Sequence, residues 1–157
     1  HGLEVAKRND ISTILNPAPA AILPDEVYKL SDYFTPNETE ASMLAGIPVK
    51  TVEDAKSAAK IFLERGVKNA VITLGELGVF VCNSEINQHI PSFDMGNKVI
   101  DTTGAGDAFN GGFAHALAEG LPLIEAIRFG SATAALSVTR LGTAPAMPFQ
   151  SEIKALL

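Results

Sequence analysis

Residues 101–113, DTTGAGDAFNGGF, bring two threonines, closely spaced glycines and an aspartate to the end of one element and the start of a helix. Gly104, Ala105 and Gly106 are small, so an anion can approach the backbone closely. The first amides of a helix have no intrahelical acceptor, and the helix dipole adds partial positive charge there. A phosphate group suits such a place. Yet Asp107 stands where phosphate loops usually carry a cation.

Two familiar phosphate motifs fail on these residues. G-x-x-x-x-G-K-[ST] requires a lysine that does not follow the glycines, and G-x-G-x-x-G fits Gly104 and Gly106 but then meets Phe109. What is left is an anion hole with a carboxylate at its edge. Phosphoryl transfer to an alcohol needs stabilised negative charge and a hydroxyl relieved of its proton. Backbone amides supply the first and Asp107, as general base, the second. An aspartate in this position also serves as a cap that complements the helix dipole, and spacing alone leaves both readings open.

The surrounding pattern alternates strands and helices. ISTIL is expected as a strand over 11–15, halted by Pro17 and Pro19, and DYF as a second, halted by Pro36. LPDEVYKL reads as a short helix with acids in its first turn. NETEASMLAG opens on Asn37 as N-cap with Glu40 three residues on, and closes on Gly46. TVEDAKSAAKIFLERG is the clearest amphipathic helix, with Val52, Ala55, Ala59 and Phe62 or Leu63 on one face and Gly66 at its end. NAVITLG is uncharged and β-rich, as a central parallel strand would be. GVFVCN and QHIPSF are expected as further strands, the second near an edge because of Pro91, and KVIDTTGAGD as strand then turn. Helices follow over GDAFNGGFAHALAEG, PLIEAIRFGSATAALSVTRLG and FQSEIKALL. The order predicts an α/β fold with a parallel sheet covered on both faces.

Composition bounds the function. The 157 residues are 46% hydrophobic and 19% charged, and the net charge of −6 argues against a broad nucleic-acid surface. Cys82 is the single cysteine, so an intrachain disulfide is impossible and a reducing compartment fits. No stretch reaches the ~20 apolar residues that span a bilayer, and HGLEVAKRND lacks the apolar run of a signal peptide. A cytoplasmic protein without nucleic-acid or membrane partners is expected. His1, His89 and His115 have no second ligand at metal spacing and read as bystanders, while Gly111 and Gly112 suggest close backbone packing.

DTTGAGDAFNGGF resembles the C-terminal signature of the ribokinase-like carbohydrate kinases, and NPAPA, TPNETEA, VITLGELG and IRFGSATAALSVTRLGTAPAMP follow in that family's order across essentially all 157 residues. NPAPA with TPNETEA favours the ribose-phosphorylating branch over those acting on fructose, adenosine or vitamins. The resemblance implies a Rossmann-like three-layer αβα sandwich and ATP-dependent phosphorylation of D-ribose at O5. It implies Asp107 as base, also touching the sugar, and the amides of Gly104, Ala105 and Gly106 as anion hole. Asn37, the turn Thr73, Leu74, Gly75, Glu76, Leu77 and Gly78, together with Gly106, Asp107 and Ser131, would contact ATP. Ser131 stands where close relatives often carry histidine near the adenine. Glu40 would position Mg²⁺ through water. A monovalent cation such as K⁺ would sit on Asp101, Thr103, Ser137, Arg140 and Gly142, mostly through carbonyls. Simpler readings stand beside these: Asn37 and Glu40 as a capping box, Thr73–Gly78 as an ordinary glycine-rich turn, Asp101 as a turn former and Arg140 as a solvated helix end.

The resemblance further implies that residues 1–157 are the C-terminal, nucleotide-binding and catalytic part of an incomplete domain. The N-terminal strands, the β lid, most sugar contacts and a lid-mediated homodimer interface would lie upstream. Other sugar or nucleoside kinases of the family, acting on deoxyribose, fructose or adenosine, and a non-catalytic nucleotide-binding fragment are the alternatives.

Overall fold

Short apolar runs flanked by proline or glycine set the strands of this chain, and alanine-rich amphipathic runs set its helices. The computed structural model describes residues 1–157 and divides them into two units, His1–Ile90 and Pro91–Leu157. The first unit runs α1 (Gly2–Arg8), β1 (Ile14–Leu15), α2 (Asp25–Lys29), β2 (Tyr33–Phe34), α3 (Glu38–Ala45), α4 (Val52–Glu64), β3 (Asn69–Thr73), β4 (Val79–Cys82) and β5 (Asn87–Ile90).

Its five strands lie in the order β1-β2-β3-β4-β5. β1, β2 and β3 pair in parallel, with Ile14 beside Tyr33 and Phe34 beside Ala70. β4 and β5 then pair antiparallel, with Val71 opposite Val81 and Phe80 opposite His89. The sheet is therefore mixed, where the sequence pattern predicts a parallel one. The cause is the short link Leu74–Gly78, which can turn a hairpin but cannot make the crossover that a parallel neighbour needs. β5, followed by Pro91, lies at an edge as expected.

Two further differences have local causes. The strand expected over 11–15 shrinks to Ile14–Leu15, because the Ile11 amide donates to Ala6 O at 2.9 Å and the Thr13 amide to Asp32 Oδ2 at 3.0 Å. Those donors are no longer available to a ladder. Val99 and Ile100 form no strand either: the amides of Ile100 and Asp101 both donate to Val138 O, at 2.8 and 3.2 Å. A β-branched pair adopts a strand only where an edge is offered to it.

The core of the first unit gathers on α4. Ala55, Ala58, Ala59 and Phe62 are buried, and Phe62 meets Phe34 edge-on at 5.0 Å and Tyr28 in a stack at 6.4 Å. Thr51 and Asp54 close a capping box at the start of that helix.

The second unit contains α5 (Ala105–Ala118), α6 (Leu123–Ser137) and α7 (Gln150–Leu156). α5 and α6 form a helical hairpin joined through Glu119–Pro122. Their backbones come close: a Cβ on Gly130 would meet Phe109 O at 2.8 Å, and one on Gly112 would meet Thr133 Cβ at 2.8 Å. Gly111 has nothing within 4 Å of such an atom, so only the second glycine of the pair serves packing.

Candidate active site

In the second unit, Gly104 is the N-cap of α5 with φ +78°, and a Cβ there would lie 3.0 Å from Thr143 Cγ2. Both the backbone conformation and the space therefore ask for glycine. Ala105 N donates to Thr102 O at 3.2 Å, whereas the amides of Gly104, Gly106 and Asp107 donate to no protein acceptor. Free helix-start amides of this kind attract anions.

Asp107 occupies the first turn of α5, is exposed, and caps nothing: α5 has no side-chain cap hydrogen bond, and the Asp107 carboxylate has no hydrogen bond or ion pair with the protein. A capping aspartate would accept from an amide at the helix start, as Asp54 and Glu40 do at theirs. Of the two readings open in sequence, only electrostatic complementation of the dipole remains beside a chemical role.

Asp101 ties the approach to this helix. Its Oδ1 accepts from Thr103 N at 2.9 Å and its Oδ2 from Gly142 N at 3.0 Å, and Gly142 has φ +91°. Hydrogen bonds from Thr103 and then from the Gly142 amide hold its carboxyl below the usual range. Asp101, Thr103 and Gly142 thus form one connected group. Ser137 O accepts from Arg140 N at 3.1 Å. The Arg140 guanidinium pairs with Glu152 instead of standing solvated. No three His, Cys, Asp or Glu side chains converge anywhere in the chain. On α6, Ser131 Oγ is buried without a hydrogen-bond partner, a polar atom that fits a donor or acceptor from a bound molecule.

In the first unit, Asn37 and Glu40 form a complete capping box. Asn37 Oδ1 accepts from Glu40 N and Glu40 Oε2 from Asn37 N, both at 2.9 Å. Glu40 is buried, with only one oxygen committed to the cap. Thr73 N donates to Pro36 O at 3.0 Å, and Asn37 bridges to Thr73, so the start of α3 lies beside the turn that follows β3.

That turn is well defined. Leu74 N donates to Gly78 O at 2.8 Å, Leu77 N to Leu74 O at 3.0 Å and Gly78 N to Gly75 O at 3.1 Å. Gly75 and Gly78 take φ +53° and +98°. Gly75, Glu76 and Leu77 are exposed while Leu74 is buried. His89 on β5, read as a bystander from sequence, touches this turn: its Nε2 lies 2.5 Å from Leu77 O. No sequence signal marked it, because its reach depends on the β4–β5 register.

Residues 2–150 match the model of the pfkB family carbohydrate kinases. The chain belongs to that family. It is 47% identical over 149 residues to the ribokinase of Haemophilus influenzae, covering 95% of this chain and 48% of that protein. It is 38% identical over 149 residues to a deoxyribokinase of Salmonella typhi, covering 94% and 48%. The crystal structure of Arabidopsis thaliana ribokinase complexed with ribose and ATP superposes with a TM-score of 0.87 at 34% identity, over 98% of this chain and 50% of that one. The α/β architecture is thus the ribokinase-like one. The chain spans about half the length of the curated relatives it matches.

Proposed function

We propose that residues 1–157 are the nucleotide-binding, base-bearing part of an ATP-dependent kinase that phosphorylates D-ribose at O5. The observation that carries this reading is Asp107: an exposed carboxylate without a structural partner, one residue after the free amide of Gly106. In the proposed reaction Asp107 takes the proton of the O5 hydroxyl, that oxygen bonds to the γ-phosphorus, and the bond from phosphorus to the β–γ bridging oxygen breaks to release ADP. The amides of Gly104 and Gly106, with the weaker donor Ala105, stabilise negative charge on the transferring group.

Asn37 and the turn Thr73–Gly78 take the nucleotide, and Ser131 supplies a polar contact to it. Glu40 orients water around Mg²⁺, an ion that when bound neutralises charge on the phosphates. Asp101 with the carbonyls of Thr103, Ser137, Arg140 and Gly142 holds a monovalent cation such as K⁺ and stiffens the loop ahead of α5. In this reading the rest of the sugar site, and a lid through which the complete kinase dimerises, lie outside residues 1–157. The kinase works in the cytoplasm.

A second substrate is favoured by the deoxyribokinase relative at 38% identity. A pentose panel separates the two. The full-length kinase carrying these residues is expected to convert D-ribose to D-ribose 5-phosphate faster than it converts 2-deoxy-D-ribose, read by ADP release and product mass. The 157-residue chain alone is expected to release no ribose-dependent ADP. Preference for deoxyribose would overturn the ribose assignment, and turnover by the chain alone would overturn the division of the sugar site.

A further inference from the structure

The turn Leu74–Gly78 carries three internal backbone hydrogen bonds, and none of them uses the carbonyl of Leu77. That oxygen meets the ring of His89 instead, with Nε2 at 2.5 Å. A carbonyl oxygen can only accept, so Nε2 must carry the hydrogen, which fixes the ring's role. His89 itself is held by the ladder: it pairs with Phe80, and the neighbouring Ile90, which is buried, pairs with Val79. The donor therefore stands on a strand anchored to the hydrophobic core, while the acceptor is the last residue of an exposed 3-10 turn.

We propose that His89 is a positioning residue for nucleotide binding, donating from Nε2 to Leu77 O and so fixing the outward side of the turn Gly75–Leu77. This rests on the reading of Thr73–Gly78 as part of the nucleotide site. The opposite flank of the turn is fixed by the backbone alone, through Thr73 N to Pro36 O at 3.0 Å and the bridge between Thr73 and Asn37. The Leu77 flank is tied by a side chain, His89. Three backbone hydrogen bonds close the turn, and at its two positive-φ glycines the chain has more freedom than elsewhere, which the tie to His89 restricts. Loss of the tie spreads the exposed amides over more conformations, and the nucleotide must then order them on binding.

The test uses His89→Ala and His89→Gln in the full-length kinase, with Kd for ATP from calorimetry, KM for ATP and for the pentose, and thermal midpoints. His89→Ala is expected to weaken Kd and KM for ATP about three- to tenfold, while KM for the pentose and the thermal midpoint stay near the wild type. Glutamine keeps an N–H donor at similar reach and is expected to restore nucleotide affinity to within about twofold. Unchanged nucleotide affinity in His89→Ala overturns the proposal. So does a loss that glutamine does not restore, or one that tracks a falling thermal midpoint and a rising pentose KM. Failure of the wild type to bind ATP would instead overturn the nucleotide site itself, and its failure to phosphorylate a pentose while binding ATP would strike the kinase reading and leave the role of His89 standing.

Discussion

Among single residues, Asp107 and Asp32 show how the same side chain serves opposite ends. Asp107 is exposed and without protein partners, whereas Asp32 is buried and saturated. Lys7 and Lys68 reach Asp32 Oδ1 at 2.8 and 2.6 Å, and Thr13 donates its amide and hydroxyl to Oδ2 at 3.0 and 3.1 Å. Burial alone would raise the carboxyl's pKa, but the hydrogen bonds from Lys68, Lys7 and Thr13 prevail and hold it well below the usual range. A carboxyl whose pKa falls on folding contributes stability above its unfolded value, near 3.9, and loses it as pH drops toward the folded value. Asp32→Asn is therefore expected to destabilise the protein by about 1–3 kcal/mol at pH 7. The gap to wild type should narrow as the pH of the denaturation series falls below about 4. A gap constant from pH 7 to pH 3 would show that charge is not its source. The motif around Asp107 was legible in sequence because its spacing is local. The Asp32 clasp was not, since it joins Lys7, Thr13 and Lys68 from three segments, and the His89 contact escaped for the same reason.

For the elements, legibility followed how local the determinants are. α4 carries its own period, its own capping pair and its own terminal glycine, and it forms over Val52–Glu64 as the pattern predicts. α3 likewise starts on the Asn37–Glu40 box. Strands fared less well because a ladder needs a partner: Val99–Ile100 has none and bonds to the end of α6 instead. The α5–α6 crossing offers a sharp check. Alanine at Gly130 would put its Cβ 2.8 Å from Phe109 O and 3.1 Å from Phe113 Cβ, forcing the helices apart. Gly130→Ala is expected to cost about 1–3 kcal/mol in urea denaturation despite alanine's better helix propensity. Gly111→Ala, on the open side of α5, is expected to gain up to about 1 kcal/mol. Shifts of the same sign would refute the close-crossing account.

Across the whole molecule, the family was readable from ordered motifs over nearly the full chain, and residues 2–150 match its model. The mixed sheet was less visible, although the short link between β3 and β4 held the information. A net charge of −6 is compatible with phosphate binding because free helix-start amides, not net charge, supply the local field. The account's central claim is that Asp107 takes the acceptor's proton beside those amides. The most direct measurement is pentose phosphorylation and ATP affinity of Asp107→Asn in the full-length kinase, with folding followed in parallel. Because the side chain is exposed and unpartnered, the variant should fold normally and bind ATP within about twofold of wild type, while turnover falls by about 100-fold or more. Turnover within about tenfold of wild type, or loss of folding in its place, would contradict the account.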